Sequence, residues 1–77
     1  MRITVRTFAH LRERFGAGEM QIELAEGACV RDAWQALAGE AALPEHVLAA
    51  VNFDYAGADR PLSDADEVAF LPPVTGG

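Results

Sequence analysis

Lysine is absent from this sequence of 77 residues, and all six of its basic side chains are arginines. This excludes a lysine nucleophile, including Schiff-base chemistry, and it excludes modification of the chain on a lysine. Cysteine is almost absent as well, because Cys29 stands alone. A single cysteine cannot form an internal disulfide, so the fold is not a disulfide-stapled secreted one.

Long hydrophobic runs are also missing. No apolar stretch approaches the ~20 residues of a membrane-spanning helix, and no charged-then-apolar leader opens the sequence. We therefore expect a cytoplasmic protein. Its formal net charge of −6 disfavours nucleic acid and anionic membranes as partners, and favours a protein partner with basic patches.

The sequence lacks the motifs of an independent active site. It has no glycine-rich phosphate loop, nucleophile elbow or Ser-His-Asp set. His10 and His46 have no second ligand at metal spacing, which favours surface or structural histidines. Asp64, Asp66 and Glu67 could attract a cation, but their spacing does not match a calcium loop, and a solvated turn is the better interpretation. We predict no metal and no bound organic cofactor.

Cys29 precedes the clearest helix of the sequence. A helix N-terminus lowers the pKa of a thiol, so a reactive thiolate is one interpretation. Only Arg31 supports it, and no second cysteine lies nearby. The favoured alternative is a small residue at a capping position, where Ser or Thr would cap better.

Alternating apolar residues predict three strands. The expected inward residues are Ile3 and Val5 in the strand over 2–7, Met20, Ile22 and Leu24 in the second, and Val68 and Phe70 in the last, over 67–71. The apolar segment 48–53 predicts a further strand, and 61–66 a turn.

Two helices are predicted between these strands. The first, over 9–15, pairs Leu11 with Phe15 and ends at Gly16. The second begins at Val30 and stops at Gly39. Its apolar stripe at helical spacing consists of Val30, Ala33, Trp34 and Leu37. Trp34 is therefore interpreted as a core residue.

This order of elements predicts an α+β fold. One main helix with a single apolar stripe covers one face of a mixed sheet of four to five strands, and the ubiquitin-like β-grasp is the commonest arrangement of this kind. We expect one domain over 1–71, because 77 residues are close to the lower limit for a buried core. A flexible C-terminal tail follows over 72–77.

The tail reads Pro72-Pro73-Val74-Thr75-Gly76-Gly77. Its prolines stiffen the exit from the fold, and its glycines remove every side chain from the end. A segment that is stiff at its root and thin at its end suits a carboxylate that must enter a narrow pocket of another protein. The alternative is an ordinary frayed terminus.

Segments 48–52 and 61–77, and more weakly 8–13, resemble the small-subunit family of molybdopterin synthase. The closing Phe-x-Pro-Pro-Val-Thr-Gly-Gly pattern is the most specific part of the resemblance. The sequence departs from the family at Cys29, where a capping Thr is usual, and at Ala65, where Gly is usual. If position 65 needs a positive φ, alanine there costs about 1 kcal/mol.

The resemblance implies that Gly77 is a cosubstrate. An E1-like enzyme adenylates its carboxylate with ATP, and sulfur from a donor such as a cysteine desulfurase or rhodanese-like protein converts it to a thiocarboxylate. The synthase large subunit, in an expected assembly of two small and two large subunits, then passes the sulfur to cyclic pyranopterin monophosphate to build the molybdopterin dithiolene. Pro72 and Pro73 would supply stiffness, and Val74, Thr75 and Gly76 would enter the partner with the tail.

A docking surface beside the tail is also expected. Strand alternation turns Leu71 away from the main helix, and Phe8 continues the outward face of the first strand. Phe8, Leu71 and Tyr55 would then form an exposed apolar patch that contacts the partner. The alternative for Phe8 is packing beside Leu11 as part of the short helix.

Other function classes share this fold and the terminal Gly-Gly. One is the sulfur carrier of thiazole (thiamine) synthesis, which generally lacks the Pro-Pro-Val-Thr segment. Another is a ubiquitin-type protein modifier, and a third is a plain interaction domain. The partner that the chain binds most tightly would discriminate among them.

Overall fold

The computed structural model of the chain describes residues 1–73, which form a sheet of five strands and two helices. The strands are β1 (Arg2–Thr7), β2 (Glu19–Glu23), β3 (Leu48–Val51), β4 (Asp54–Ala56) and β5 (Glu67–Leu71). Their order in the sheet is β2-β1-β5-β3-β4. The central neighbours β1 and β5 are parallel, and all other neighbours are antiparallel. The expected α+β architecture with a mixed sheet is confirmed.

The main helix, α2 (Val30–Ala38), supplies the predicted apolar stripe to the core. Val30, Ala33 and Trp34 are fully buried, and Leu37 packs against the same cluster. The Trp34 ring meets the Phe70 ring of β5 edge to face, with centroids 5.1 Å apart. Its indole N–H donates to Glu40 Oε1 at 3.0 Å, which satisfies the one polar atom of the side chain.

The ends of both helices agree with the sequence prediction. The short helix α1 (Ala9–Phe15) ends at Gly16 with φ +77°, and α2 ends at Gly39 with φ +74°. Both glycines take the left-handed conformation that closes a helix. At the start of α2, the backbone N–H of Cys29 donates to Asp32 Oδ2 at 2.8 Å, which places half-buried Cys29 at the capping position.

The strand predicted over 48–53 is too long. β3 ends at Val51, because Asn52 and Phe53 have φ of +49° and +74° and form a two-residue turn into β4. This hairpin strand, β4, was missed, since two left-handed residues without glycine give no recognisable turn signal. β2 likewise ends at Glu23, one residue before the predicted Leu24.

Ala65 lies in the turn before β5 with φ +73°, the positive value that the family's usual glycine predicts. The turn is closed by Asp66, whose Oδ2 accepts from the backbone N–H of Ser63 at 2.8 Å. The backbone N–H of Ala65 also donates to the Arg2 carbonyl at 2.8 Å, which ties the turn to β1.

The sheet has one covered and one open face. Inward residues Ile3, Val5, Val51, Val68 and Phe70 are fully buried in the core beneath the helices. Their strand neighbours, among them Arg6, Ala50, Ala69 and Leu71, alternate to the opposite, open face. Neither helix within residues 1–73 is long and apolar enough to cross a membrane.

Candidate functional site

An apolar groove lies on the open face, directly beside the root of the C-terminal tail. It encloses about 240 Å³. Its lining residues are Arg6, Phe8, Ala50, Phe53, Tyr55, Glu67, Ala69 and Leu71. We call this feature the open-face groove. It brings together all three side chains that the sequence predicts for the partner surface.

The parallel pairing of β1 and β5 explains why Phe8 and Leu71 meet. Thr7 pairs with Phe70, so the residues that follow them, Phe8 and Leu71, emerge at the same end of neighbouring strands. Phe8 has extended backbone geometry at the position that precedes α1, and its side chain is 44% exposed. Phe8 therefore continues the outward face of β1, and the alternative of packing beside Leu11 is wrong.

The floor of the open-face groove consists of two alanines. Ala50 of β3 pairs with Ala69 of β5 across the sheet, and on its other side Ala50 pairs with Tyr55 of β4. Small side chains at the centre of the face leave depth between the larger walls of Phe8, Leu71 and Tyr55. Tyr55 is 72% exposed, so most of its ring is available to a partner.

Charged residues close one side of the groove. The Arg6 guanidinium donates to Glu67, and it also lies 2.9 Å from Glu19 Oε1 on β2. The hydrogen bond to Glu67 and the charge of that carboxylate raise the pKa of Arg6 above its already high ordinary value. Arg6 is thus a permanent cation with two carboxylate partners, which suits it to border an apolar surface and not to proton transfer.

The tail leaves the fold immediately after the groove. Leu71 pairs with Leu48 as the last residue of β5, Pro72 is half-buried, and Pro73 is exposed. The predicted reacting residue, Gly77, and the residues Val74, Thr75 and Gly76 lie outside the residues that the structure describes.

The remaining candidate residues are not brought together. His10 is exposed on α1, and His46 is exposed on the loop between α2 and β3. Asp66 is engaged by Ser63 and by Asn52 Nδ2, so its carboxylate serves the fold. Within residues 1–73, no group of three or more His, Cys, Asp or Glu side chains is placed to hold a metal ion.

Sequence reasoning missed Phe53. It lines the open-face groove and is 89% exposed, the largest exposure among the large apolar side chains of residues 1–73. An apolar residue at the end of an apolar segment reads as the end of a strand. Only the preceding Asn52, a residue that tolerates positive φ, could have suggested the turn.

Comparison with known proteins identifies relatives along the whole chain. The family model described as the ThiS family matches residues 5–77. The molybdopterin synthase sulfur carrier subunit of Chlamydomonas reinhardtii is 38% identical over an alignment of 86 positions that covers 100% of both proteins. The protein of the same name from Escherichia coli (strain K12) is 64% identical over 31 residues, which are 40% of this chain and 38% of that protein.

Solved structures share the ubiquitin-like β-grasp fold. SAMP1 from Haloferax volcanii superposes with a TM-score of 0.86 and 28% identity, over 100% of both chains. A putative molybdopterin converting factor subunit 1 from Pyrococcus furiosus gives 0.82 and 32%, over 96% of this chain and 99% of that one. A complex of subunits 1 and 2 of molybdopterin-converting factor from Helicobacter pylori 26695 contains a chain with a TM-score of 0.66 and 25% identity, over 100% of both.

Proposed function

This chain belongs to the ThiS family, and from that premise we propose that it is the sulfur-carrying small subunit of a molybdopterin synthase. The observation that carries the proposal is the full-length match to a molybdopterin synthase sulfur carrier subunit, combined with a closing Pro-Pro-Val-Thr-Gly-Gly segment. The open-face groove beside the root of that segment gives the chain a surface on which a receiving protein can dock.

The chemistry belongs to the terminal carboxylate of Gly77. An α-carboxylate has a pKa of about 3.5 and is ionised at neutral pH, which makes it a poor electrophile. An E1-like partner joins a carboxylate oxygen to the α-phosphorus of ATP, and pyrophosphate leaves. A persulfide of the donor protein then attacks the carbonyl carbon and displaces AMP, which gives an acyl disulfide between Gly77 and the donor. A second thiol attacks the donor's sulfur atom, forms a disulfide with it and releases the sulfur that is bonded to Gly77. The product is a thiocarboxylate, in which one oxygen of Gly77 is replaced by sulfur.

Delivery requires a second protein. We propose that the large subunit of the synthase receives the tail and transfers its sulfur to cyclic pyranopterin monophosphate, with two deliveries completing one dithiolene. The Helicobacter pylori complex of subunits 1 and 2 supports a partner of this kind. An assembly of two small and two large subunits in the cytoplasm is part of the same proposal.

The narrow end of the tail has a physical role in this transfer. Thr75 and Gly76 lengthen the tail and add little side-chain volume. Pro72 and Pro73 restrict the free tail, so less conformational entropy is lost when the tail enters a partner. The chain itself contributes no general acid or base to the reaction in this scheme. Gly77 is consumed and regenerated as a cosubstrate.

Intact-mass analysis tests the proposal directly. The chain is incubated with ATP, an activating enzyme and a sulfur source, and we expect one oxygen to be exchanged for sulfur, located at Gly77 by fragmentation. Adding the large subunit and the pterin substrate should then restore the carboxylate and produce molybdopterin. Sulfur transfer by the purified chain without a large subunit would show that the chain has catalytic groups of its own.

A protein-modifier role is the second candidate, because the small archaeal modifier protein 1 of Haloferax volcanii shares the fold with a TM-score of 0.85 and 26% identity. In that role the activated Gly77 carbonyl forms an isopeptide bond with a lysine of a target. The absence of lysine means that the chain cannot form lysine-linked polymers of itself. Conjugates of higher mass that contain the Gly-Gly end would favour this role. Thiazole formation with a thiazole synthase would instead favour the carrier of thiamine synthesis.

A further inference from the structure

Phe53 lies on the open face in a way that the fold does not explain. Its side chain is 89% exposed, so it adds almost nothing to the core. Its backbone has φ +74°, a left-handed conformation that is unusual for a bulky residue, and glycine or asparagine is the ordinary occupant of such a turn position. The left-handed backbone lowers the stability of the isolated domain, and the exposed side chain offers no burial in compensation. A residue held in a strained conformation with no gain in packing points to a function outside the fold.

The turn that carries Phe53 is held in place. The backbone N–H of Asn52 donates to the Glu67 carbonyl at 2.8 Å, and Asn52 Oδ1 accepts from the Glu67 N–H at 3.0 Å. Asn52 Nδ2 donates to Asp66 Oδ1 at 3.0 Å. Phe53 is therefore presented at a defined position beside the groove, which lowers the entropy lost when a partner covers it.

We propose that Phe53 is a specificity-determining anchor of this chain for the synthase large subunit, an inference that rests on the proposed function. It lines the open-face groove together with Phe8 and Leu71. The groove, with Ala50 and Ala69 as its floor, then receives an aliphatic side chain of the large subunit. Aromatic residues at the centre of an interface supply much of its binding free energy.

Two observations identify the large subunit as the occupant. The groove is continuous with the tail root, because Leu71 both lines the groove and precedes Pro72. A protein that receives the tail must therefore lie against this face. Charge adds a second constraint, since the chain carries a net charge of −6. The surface around the inserted aliphatic side chain should be basic.

The test combines affinity with stability in the substitution Phe53→Gly. Glycine removes the anchor and accepts the left-handed backbone, so we expect the melting temperature to rise by several degrees while the Kd for the large subunit rises at least tenfold. Phe53→Leu keeps an apolar side chain and should bind with an intermediate Kd. The matched control is Ala65→Gly, which removes the steric cost of an alanine with positive φ in the turn before β5. It should raise the melting temperature without changing the Kd.

The outcomes separate this inference from the proposed function. If the unsubstituted chain does not bind the large subunit, both are wrong. If it binds and Phe53→Gly binds equally well, the anchor role is wrong and the proposed function survives. A loss of affinity confined to the activating enzyme, or a change only in self-association of the chain, would also overturn the assignment, because each identifies a different occupant of the groove.

Discussion

The side chain of Asn52 donates a hydrogen bond from Nδ2 to Oδ1 of Asp66 over 3.0 Å, although the two residues are 14 positions apart. The same amide accepts from the backbone N–H of Glu67 through Oδ1, so both of its ends are used. These bonds join the turn between β3 and β4 to the turn that precedes β5. The wall of the open-face groove and the strand that leads to the tail are therefore held by one small polar network.

Acid should weaken this network. The hydrogen bond from the Ser63 N–H, and then that from Asn52, lower the pKa of Asp66 below its ordinary value of 3.8. A carboxylate whose pKa is lower in the folded state contributes stability above pH 3.8, and that contribution is lost as the pH falls through the folded pKa. Asp32, whose pKa is lowered by Cys29, acts in the same direction. We expect the free energy of unfolding to decrease below pH 3.8.

Urea denaturation at a series of pH values measures this effect, with Asp66→Asn as the variant. The variant should be less stable near neutral pH and should lose less stability on acidification than the unsubstituted chain. Glu45→Gln, which removes an exposed loop carboxylate, serves as the control and should leave the pH dependence nearly unchanged. Identical acid profiles for Asp66→Asn and the unsubstituted chain would contradict the role of Asp66.

Ala65→Gly should stabilise the domain. Position 65 has φ +73°, where a Cβ is unfavourable, and glycine removes that penalty at the expense of a more disordered unfolded chain. We expect a net gain of about 0.5–1 kcal/mol, which corresponds to a rise in melting temperature of roughly 2–8 °C for a domain of this size. Calorimetry measures the change, and a lower melting temperature would show that the alanine methyl group has a compensating contact.

Leu71→Asp should disrupt docking without unfolding the chain. Leu71 lies on the open face, outside the core, and burial of a leucine side chain contributes roughly 1.5–3 kcal/mol. We therefore expect at least tenfold weaker binding to the large subunit. Gln21→Asp adds the same charge at an exposed position of β2 and should bind normally. Unchanged affinity of Leu71→Asp for both the large subunit and the activating enzyme would remove Leu71 from the interface.

Shortening the tail by deletion of Gly77 should abolish sulfur transfer. The new terminus is one residue, about 3.3–3.6 Å of chain, short of the reacting atoms of the partner. Gly76→Val should also fail, because a β-branched side chain is too bulky for a channel sized for backbone. Molybdopterin formation measures activity. Melting temperatures should remain within about 2 °C of the unsubstituted chain, since Phe70 is the last member of the buried core cluster among the described residues 1–73. Normal molybdopterin formation by the deletion variant would rule out the sulfur-carrier function.

Local patterns predicted most of the elements because their signals lie within a few residues. The alternation around Ile3 and Val5, and the stripe that includes Trp34, each report burial on one face. β4 gives no such signal, because the strand has only three residues and begins with the polar Asp54. The turn that leads into it is formed by Asn52 and Phe53 and not by the recognisable pair Asn-Gly. Phe53 was missed for the same reason.

The sequence by itself determined both helices, the strands β1, β2, β3 and β5, the outward direction of Leu71 and the composition of the tail. These follow from side-chain periodicity and backbone sterics, which act between near neighbours. Only the tertiary structure decided that Phe53 joins Phe8, Tyr55 and Leu71 and that these four residues line one groove. That arrangement depends on the parallel pairing of β1 with β5 and on the hydrogen bonds of Asn52, and both join segments that are distant in the chain. Such pairings depend on which strands can share the core beneath α2, a property of the whole packed domain that no short segment encodes.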